Sequence, residues 1–129
     1  MAATERMRRV NVALRQVIAE TIGRELADPR LGFVTITHVE ATQDLKQARV
    51  YYTVLSRRHR AGSGKALESA RGILQARVGQ ALKSRHTPQL AFVYDEHQDR
   101  AMRLTHLIDE VTADLGEPEP PGEDEEAGP

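Results

Sequence analysis

The sequence predicts an α+β domain in the order α-β-β-α-α-β-α, with a three-stranded sheet packed against helices. Three observations carry that prediction. Near both ends of the chain, and again between residues 65 and 83, apolar residues recur at gaps of three and four, the period of an amphipathic helix. Residues 33–39, 48–54 and 89–94 are instead β-branched or alternate between apolar and polar, as half-buried strands do. Finally, Gly72 falls in the middle of the central helical run, where glycine costs about 1 kcal/mol against alanine. It therefore reads as a break between two shorter helices.

The first helix is expected over residues 4–26, on a stripe of Val10, Leu14, Val17, Ile18, Ile22 and Leu26. Asp28-Pro29 ends it, because the residue before proline is pushed out of the helical region. Two strands follow, residues 33–39 and the alternating Ala48, Val50, Tyr52 and Val54. Their short separation around Gln43-Asp44 predicts an antiparallel hairpin. Residues 56–64 hold Arg57-Arg58-His59-Arg60 and Gly62-Ser63-Gly64 and read as a flexible basic loop. Ser63 would stand near the start of the following helix as a cap. After the two central helices, His86-Thr87-Pro88 marks a turn and residues 89–94 a third strand. Asp95 with Gln98 resembles a capping box, and Ala101, Leu104, Ile108, Val111 and Leu115 mark a last helix. From Gly116 the chain is rich in Glu, Pro and Gly without apolar periodicity, the composition of a disordered tail. The expected organisation is one domain over residues 1–115 and an acidic tail over 116–129.

Composition excludes several classes. The 129 residues contain no cysteine, so there is no disulfide framework, thiolate nucleophile or cysteine-based zinc site. No apolar run approaches the roughly 18–20 residues that span a bilayer. Residues 1–9 carry charge with no apolar stretch behind them, so no secretory signal is expected. The five histidines form no i, i+4 pair, and no Gly-rich phosphate loop is present, which leaves no metal or nucleotide cofactor to expect. His38 and Glu40, with Asp95, are the one grouping from which a hydrolase could be built.

Charge is more informative. The net charge of −1 hides a body, residues 1–94, with 16 basic and 7 acidic side chains, and an end, residues 95–129, with 2 basic and 12 acidic. A basic body with an acidic end points to nucleic-acid contact. Fifteen of the 18 cations are arginine, which pairs with phosphate bidentately and stacks on bases. With only five aromatic residues in the chain, recognition is expected to run through the RNA backbone and its shape. Two helices joined by a turn against a three-stranded sheet is the KH arrangement, whose Gly-x-x-Gly loop clamps a nucleic-acid backbone. Here the corresponding element is the shorter Ala70-Arg71-Gly72. The residues expected to meet RNA are therefore Ala70, Arg71 and Gly72 at the kink, Lys65, Arg77 and Lys83 on the flanking helices, and Arg57, Arg58 and Arg60 in the loop. A protein-interaction module using the first helix, and a general single-strand RNA chaperone, are the other readings from different classes. The acidic residues of 117–126 could screen the basic face.

From Arg6 to Val111 the sequence resembles the ribosome-binding factor A family. The resemblance rests on Asp28-Pro29-Arg30, on Val34-Thr35-Ile36-Thr37-His38-Val39-Glu40, and on Asp44-Leu45 followed by Ala48-Arg49-Val50-Tyr51. It continues through Ala66-Leu67-Glu68-Ser69-Ala70-Arg71-Gly72 to Arg85, Pro88, Leu90, Phe92 and Asp95. It implies a type II KH-like domain with an extra C-terminal helix and no catalytic activity. It also implies a cytoplasmic monomer that binds free 30S subunits rather than 70S ribosomes. Late maturation and processing of 16S rRNA near its 5′-terminal helix region, growth in the cold, and release aided by an assembly GTPase belong to the same implication. Nothing in it extends to the acidic tail.

Overall fold

The computed structural model describes residues 2–83 and 86–114, in the order α1 (Ala2–Glu25), β1 (Val34–Ala41), β2 (Gln47–Val54), a 3-10 turn (Arg57–His59), α2 (Arg60–Ser69), α3 (Arg71–Leu82), β3 (Gln89–Tyr94) and α4 (Glu96–Asp114). This is the α+β, type II KH-like architecture with its extra C-terminal helix. The described residues form two compact units, one ending at Glu96 and one beginning at His97. The acidic tail and Leu115 lie outside the described residues.

In the first unit the stripe of α1 buries Leu14, Ile18 and Ile22, and the helix packs on β1 and α3. Past Asp28-Pro29 the chain turns sharply. Leu31 N–H donates to the Asp28 carbonyl at 2.9 Å, and the Asp28 carboxylate takes the Arg30 N–H at 2.9 Å and its guanidinium at 2.6 Å. Gly32 then adopts φ +60°, a left-handed conformation that glycine enters without steric cost.

β1 and β2 pair antiparallel from Val34↔Val54 to Ala41↔Ala48, with a shift between Ile36 and His38 that leaves Thr37 as an extra residue. That bulge explains why Ile36 and Val39, three apart, both face the core: the inserted residue resets the two-residue alternation. β3 lies beside β2 in parallel, Gln47↔Gln89 to Tyr52↔Tyr94, giving a sheet order β1-β2-β3. A parallel pair needs a crossover connection, and the segment from Arg57 to Leu82 supplies it. Leu67, Leu74 and Val78 of that crossover are fully buried, with Val50 and Leu90 of the sheet.

Two local readings are corrected by the structure. The segment at Gly62-Ser63-Gly64 is not a flexible loop but part of α2, which begins at Arg60. Ser63 is wholly buried and donates to the Leu31 carbonyl at 2.6 Å rather than capping the helix. Small residues are needed there because a Cβ on Gly62 would stand 3.3 Å from the Arg30 carbonyl and one on Gly64 3.0 Å from the Tyr52 hydroxyl. The helix break, second, falls at Ala70 (φ −91°, ψ 3°), and Gly72 already lies inside α3. Ala70 is buried against the core, so tertiary packing rather than glycine flexibility sets the kink.

The second unit is α4 beyond its first residue. Arg103 donates to the Asp99 carboxylate at 3.0 Å, and His106 stands 3.2 Å from Glu110, pairs four apart that face each other along a helix. Leu104, Leu107, Ile108 and Val111 are each about half exposed.

Candidate nucleic-acid interface

Along the outer side of the crossover runs an open groove of about 650 Å³, walled by α2 through Arg60, Gly64 and Lys65 and by β3 through Phe92 and Tyr94. Its floor includes Tyr52, and Ser69 closes it at the kink. Three of the chain's five aromatic rings therefore meet in one place. The Tyr52 and Tyr94 rings pack edge to face with centroids 5.4 Å apart. Above them the Arg60 guanidinium lies 3.9 Å from the Tyr94 ring centroid and pairs with Glu96. Burial pushes the Tyr52 phenol up from its ordinary pKa of 10.0, so it presents a neutral hydroxyl at any physiological pH. Lys65 is exposed and has no ionic partner among the described residues. An aromatic wall with a free cation and glycine-thinned helix surface is suited to a polyanion that also carries flat rings.

The structure distributes the sequence-predicted residues unevenly. Arg60 and Lys65 line the groove, and Ala70 forms the kink at its end. Arg71 is held there by structural duties: its guanidinium donates to the Leu90 carbonyl and to the Glu68 carboxylate, and stands 5.5 Å from the Phe92 centroid. Gln75, one turn on, accepts the Leu90 N–H at 3.1 Å. Together they satisfy both peptide groups of Leu90 on the open side of β3 and fix this wall of the groove. Gly72 is exposed, and a Cβ there would meet nothing within 4 Å.

Arg77 lies elsewhere. It makes two 2.7 Å hydrogen bonds to Glu25 of α1, which hold the Glu25 carboxyl below its ordinary 4.5 and raise the Arg77 guanidinium. Lys83 is the left-handed C-cap of α3 (φ 54°), a helix length beyond the kink. Arg57 and Arg58 sit exposed in the 3-10 turn before α2, at the opposite end of that helix. The aromatic side of the groove escaped the sequence reading because Tyr52 and Tyr94 are 42 residues apart. The only signal was the alternation of Phe92 and Tyr94 on one face of a strand.

His38, Glu40 and Asp95 do come together, with the His38 ring 3.6 Å from a carboxylate oxygen of each. The ring stacks on Tyr51 (4.2 Å, 9°) as a cross-strand pair, and the Thr37 hydroxyl donates to Asp95 at 2.6 Å. That hydroxyl also lies 3.5 Å from His38 Nδ1 and 3.3 Å from the Tyr51 carbonyl, its shortest hydrogen bond being the one to the carboxylate. Among the described residues no set of three His, Asp or Glu side chains could hold a metal ion, and no helix is long and apolar enough to cross a membrane.

Comparison with known proteins agrees with this architecture. The chain is 45% identical over 114 residues to ribosome-binding factor A of Streptomyces griseus, covering 88% of this chain and 72% of that protein. It spans slightly less than two thirds of some other curated relatives. The crystal structure of ribosome-binding factor A from Thermus thermophilus superposes with a TM-score of 0.62 at 27% identity, over 68% of this chain and 93% of that one. A Thermus thermophilus ribosome-binding factor A homology model, fitted into the cryo-electron-microscopy map of a 30S complex, superposes at 0.55 and 29% identity, over 64% and 88%. The family model described as ribosome-binding factor A matches residues 6–108, from the first helix through most of the last, and the chain belongs to the ribosome-binding factor A family.

Proposed function

We propose that the protein binds free 30S small ribosomal subunits rather than joined 70S ribosomes and assists late maturation and processing of 16S rRNA near its 5′-terminal helix region. It acts as a monomeric, cytoplasmic, non-enzymatic factor, needed most in the cold and released with the help of an assembly GTPase. The observation that carries the RNA part is the groove between α2 and β3, where Lys65 faces Phe92 and Tyr94 and the kink at Ala70 closes one end. Support for the subunit comes from the Thermus thermophilus relative fitted into a 30S complex. In this reading the backbone of rRNA passes the kink, and the groove takes bases against its aromatic wall.

Sucrose-gradient sedimentation of the tagged protein at moderate salt tests the proposal. A peak with free small subunits, absent from joined ribosomes, is the expected result, together with precursor 16S rRNA in a deletion strain. Protein confined to the top of the gradient, with normal rRNA processing in the deletion strain, would leave an RNA-binding protein without ribosome specificity.

A further inference from the structure

The two most exposed large apolar side chains of the described residues, Phe33 (76%) and Leu55 (73%), are neighbours. The Leu55 N–H donates to the Phe33 carbonyl at 3.2 Å, which extends the β1–β2 pairing one step past Val34↔Val54. The 3-10 turn carrying Arg57 and Arg58 folds back beside them. A Cβ on Gly32 would stand 3.3 Å from the His59 ring, so the turn and the segment before Phe33 are in contact. Arg57 and Arg58 are exposed and have no hydrogen-bonding or ionic side-chain partner among the described residues. Nor could a sequence neighbour supply one: between Asp44 and Glu68 the chain has six Lys and Arg and no carboxylate.

An exposed phenyl ring beside two uncompensated guanidinium groups fits one ligand chemistry closely, that of an unpaired nucleobase with phosphates on either side. The ring offers a stacking face that duplex RNA, with its bases already stacked, cannot use. The position also favours RNA over an acidic protein or a lipid surface. Leu55 directly follows Val54, the last residue of β2, three residues and about 10 Å of chain from Tyr52 in the groove, a separation that one RNA strand spans. We propose that Phe33, Leu55, Arg57 and Arg58 form a second RNA contact. It takes a single-stranded base on the Phe33 ring, with flanking phosphates on the two arginines. This rests on the RNA-binding reading of the groove and adds to it a preference for single-stranded over duplex RNA at this end.

Fluorescence anisotropy of the full chain with a labelled oligouridine and with a blunt RNA hairpin tests it. Phe33→Ala is expected to weaken oligouridine binding roughly five- to a hundredfold, the range of one lost base stack, with hairpin binding and thermal stability unchanged. R57Q together with R58Q should lower the slope of log affinity against log salt by about 1.4, two single-strand phosphate contacts. The chain has no tryptophan, so Phe33→Trp places a single reporter whose emission oligouridine should quench and the hairpin should not. Parent-like oligouridine affinity in Phe33→Ala, while Lys65→Gln still weakens binding, overturns the second contact and spares the groove. A parent chain that binds neither RNA overturns both. Phe33-dependent binding to phosphatidylglycerol vesicles with no effect on RNA assigns the patch to lipid and overturns the proposal.

Discussion

Lys65 faces the groove without an ionic partner among the described residues, whereas Arg77 commits the Nε–Nη2 edge of its guanidinium to both carboxylate oxygens of Glu25, so the two cations should respond differently to removal. Lys65→Gln is expected to lower the salt slope of single-strand RNA binding by about 0.7, one phosphate contact. Arg77→Gln should leave that slope unchanged and lower the melting temperature, because it frees Glu25 and loosens α3 from α1. Anisotropy across a salt series and a thermal melt separate the outcomes; a reduced slope in Arg77→Gln would place RNA on the α1–α3 face instead. Asp28 offers a pH test. Its hydrogen bonds from the Arg30 guanidinium and backbone N–H hold the carboxyl down at about 2, against an ordinary 3.8. A folded-state value below the unfolded one means that the turn's contribution to stability is complete above about pH 4. It is lost as the pH falls toward 2. Carboxyl-carbon NMR should find the midpoint near 2 in the parent and near the ordinary value in Arg30→Gln.

The kink between α2 and α3 is the element on which the RNA reading turns, and Gly72 can be tested apart from folding. It lies inside α3 with open space around it, so alanine should stabilise the chain by up to about 1 kcal/mol. If an RNA backbone passes within contact of the kink, the added methyl group should also weaken binding. The expected result of Gly72→Ala is thus a higher urea midpoint with lower RNA affinity; equal affinity would move the backbone path away from Gly72. Much of this architecture is legible in the sequence because it rests on periodicity: the α1 stripe, the alternation of β2 and the Asp28-Pro29 stop act locally. What periodicity misses depends on distant partners. Gly62-Ser63-Gly64 looks like a linker until the Leu31 carbonyl gives the Ser63 hydroxyl its acceptor. The kink looks like a glycine effect until Ala70 is seen packed in the core. Likewise the groove exists only because the parallel β2–β3 register sets Tyr52 beside Tyr94, and no local pattern announces which strand a third strand will join.

Taken as a whole, the chain separates its charge: a surplus of nine positive charges over residues 1–94 and a surplus of ten negative charges over residues 95–129. Six of the carboxylates lie within 117–126, in one chain with a body whose groove and 3-10 turn carry cations that have no ionic partner among the described residues. Such a tail would compete with phosphate through Coulomb attraction, over a range set by salt. The screening length is about 30 Å at 0.01 M and about 8 Å at 0.15 M ionic strength. Deleting residues 116–129 is therefore expected to tighten binding to unrelated RNA severalfold at low salt and to have little effect near physiological salt. Because the tail would occupy the same cations that RNA neutralises, the deletion should also steepen the salt slope toward the value set by the body alone. Anisotropy with oligouridine across that salt range decides the matter. Identical curves for the two chains would mean that the acidic residues do not reach the basic face. The net charge of the whole protein would then act only on solubility.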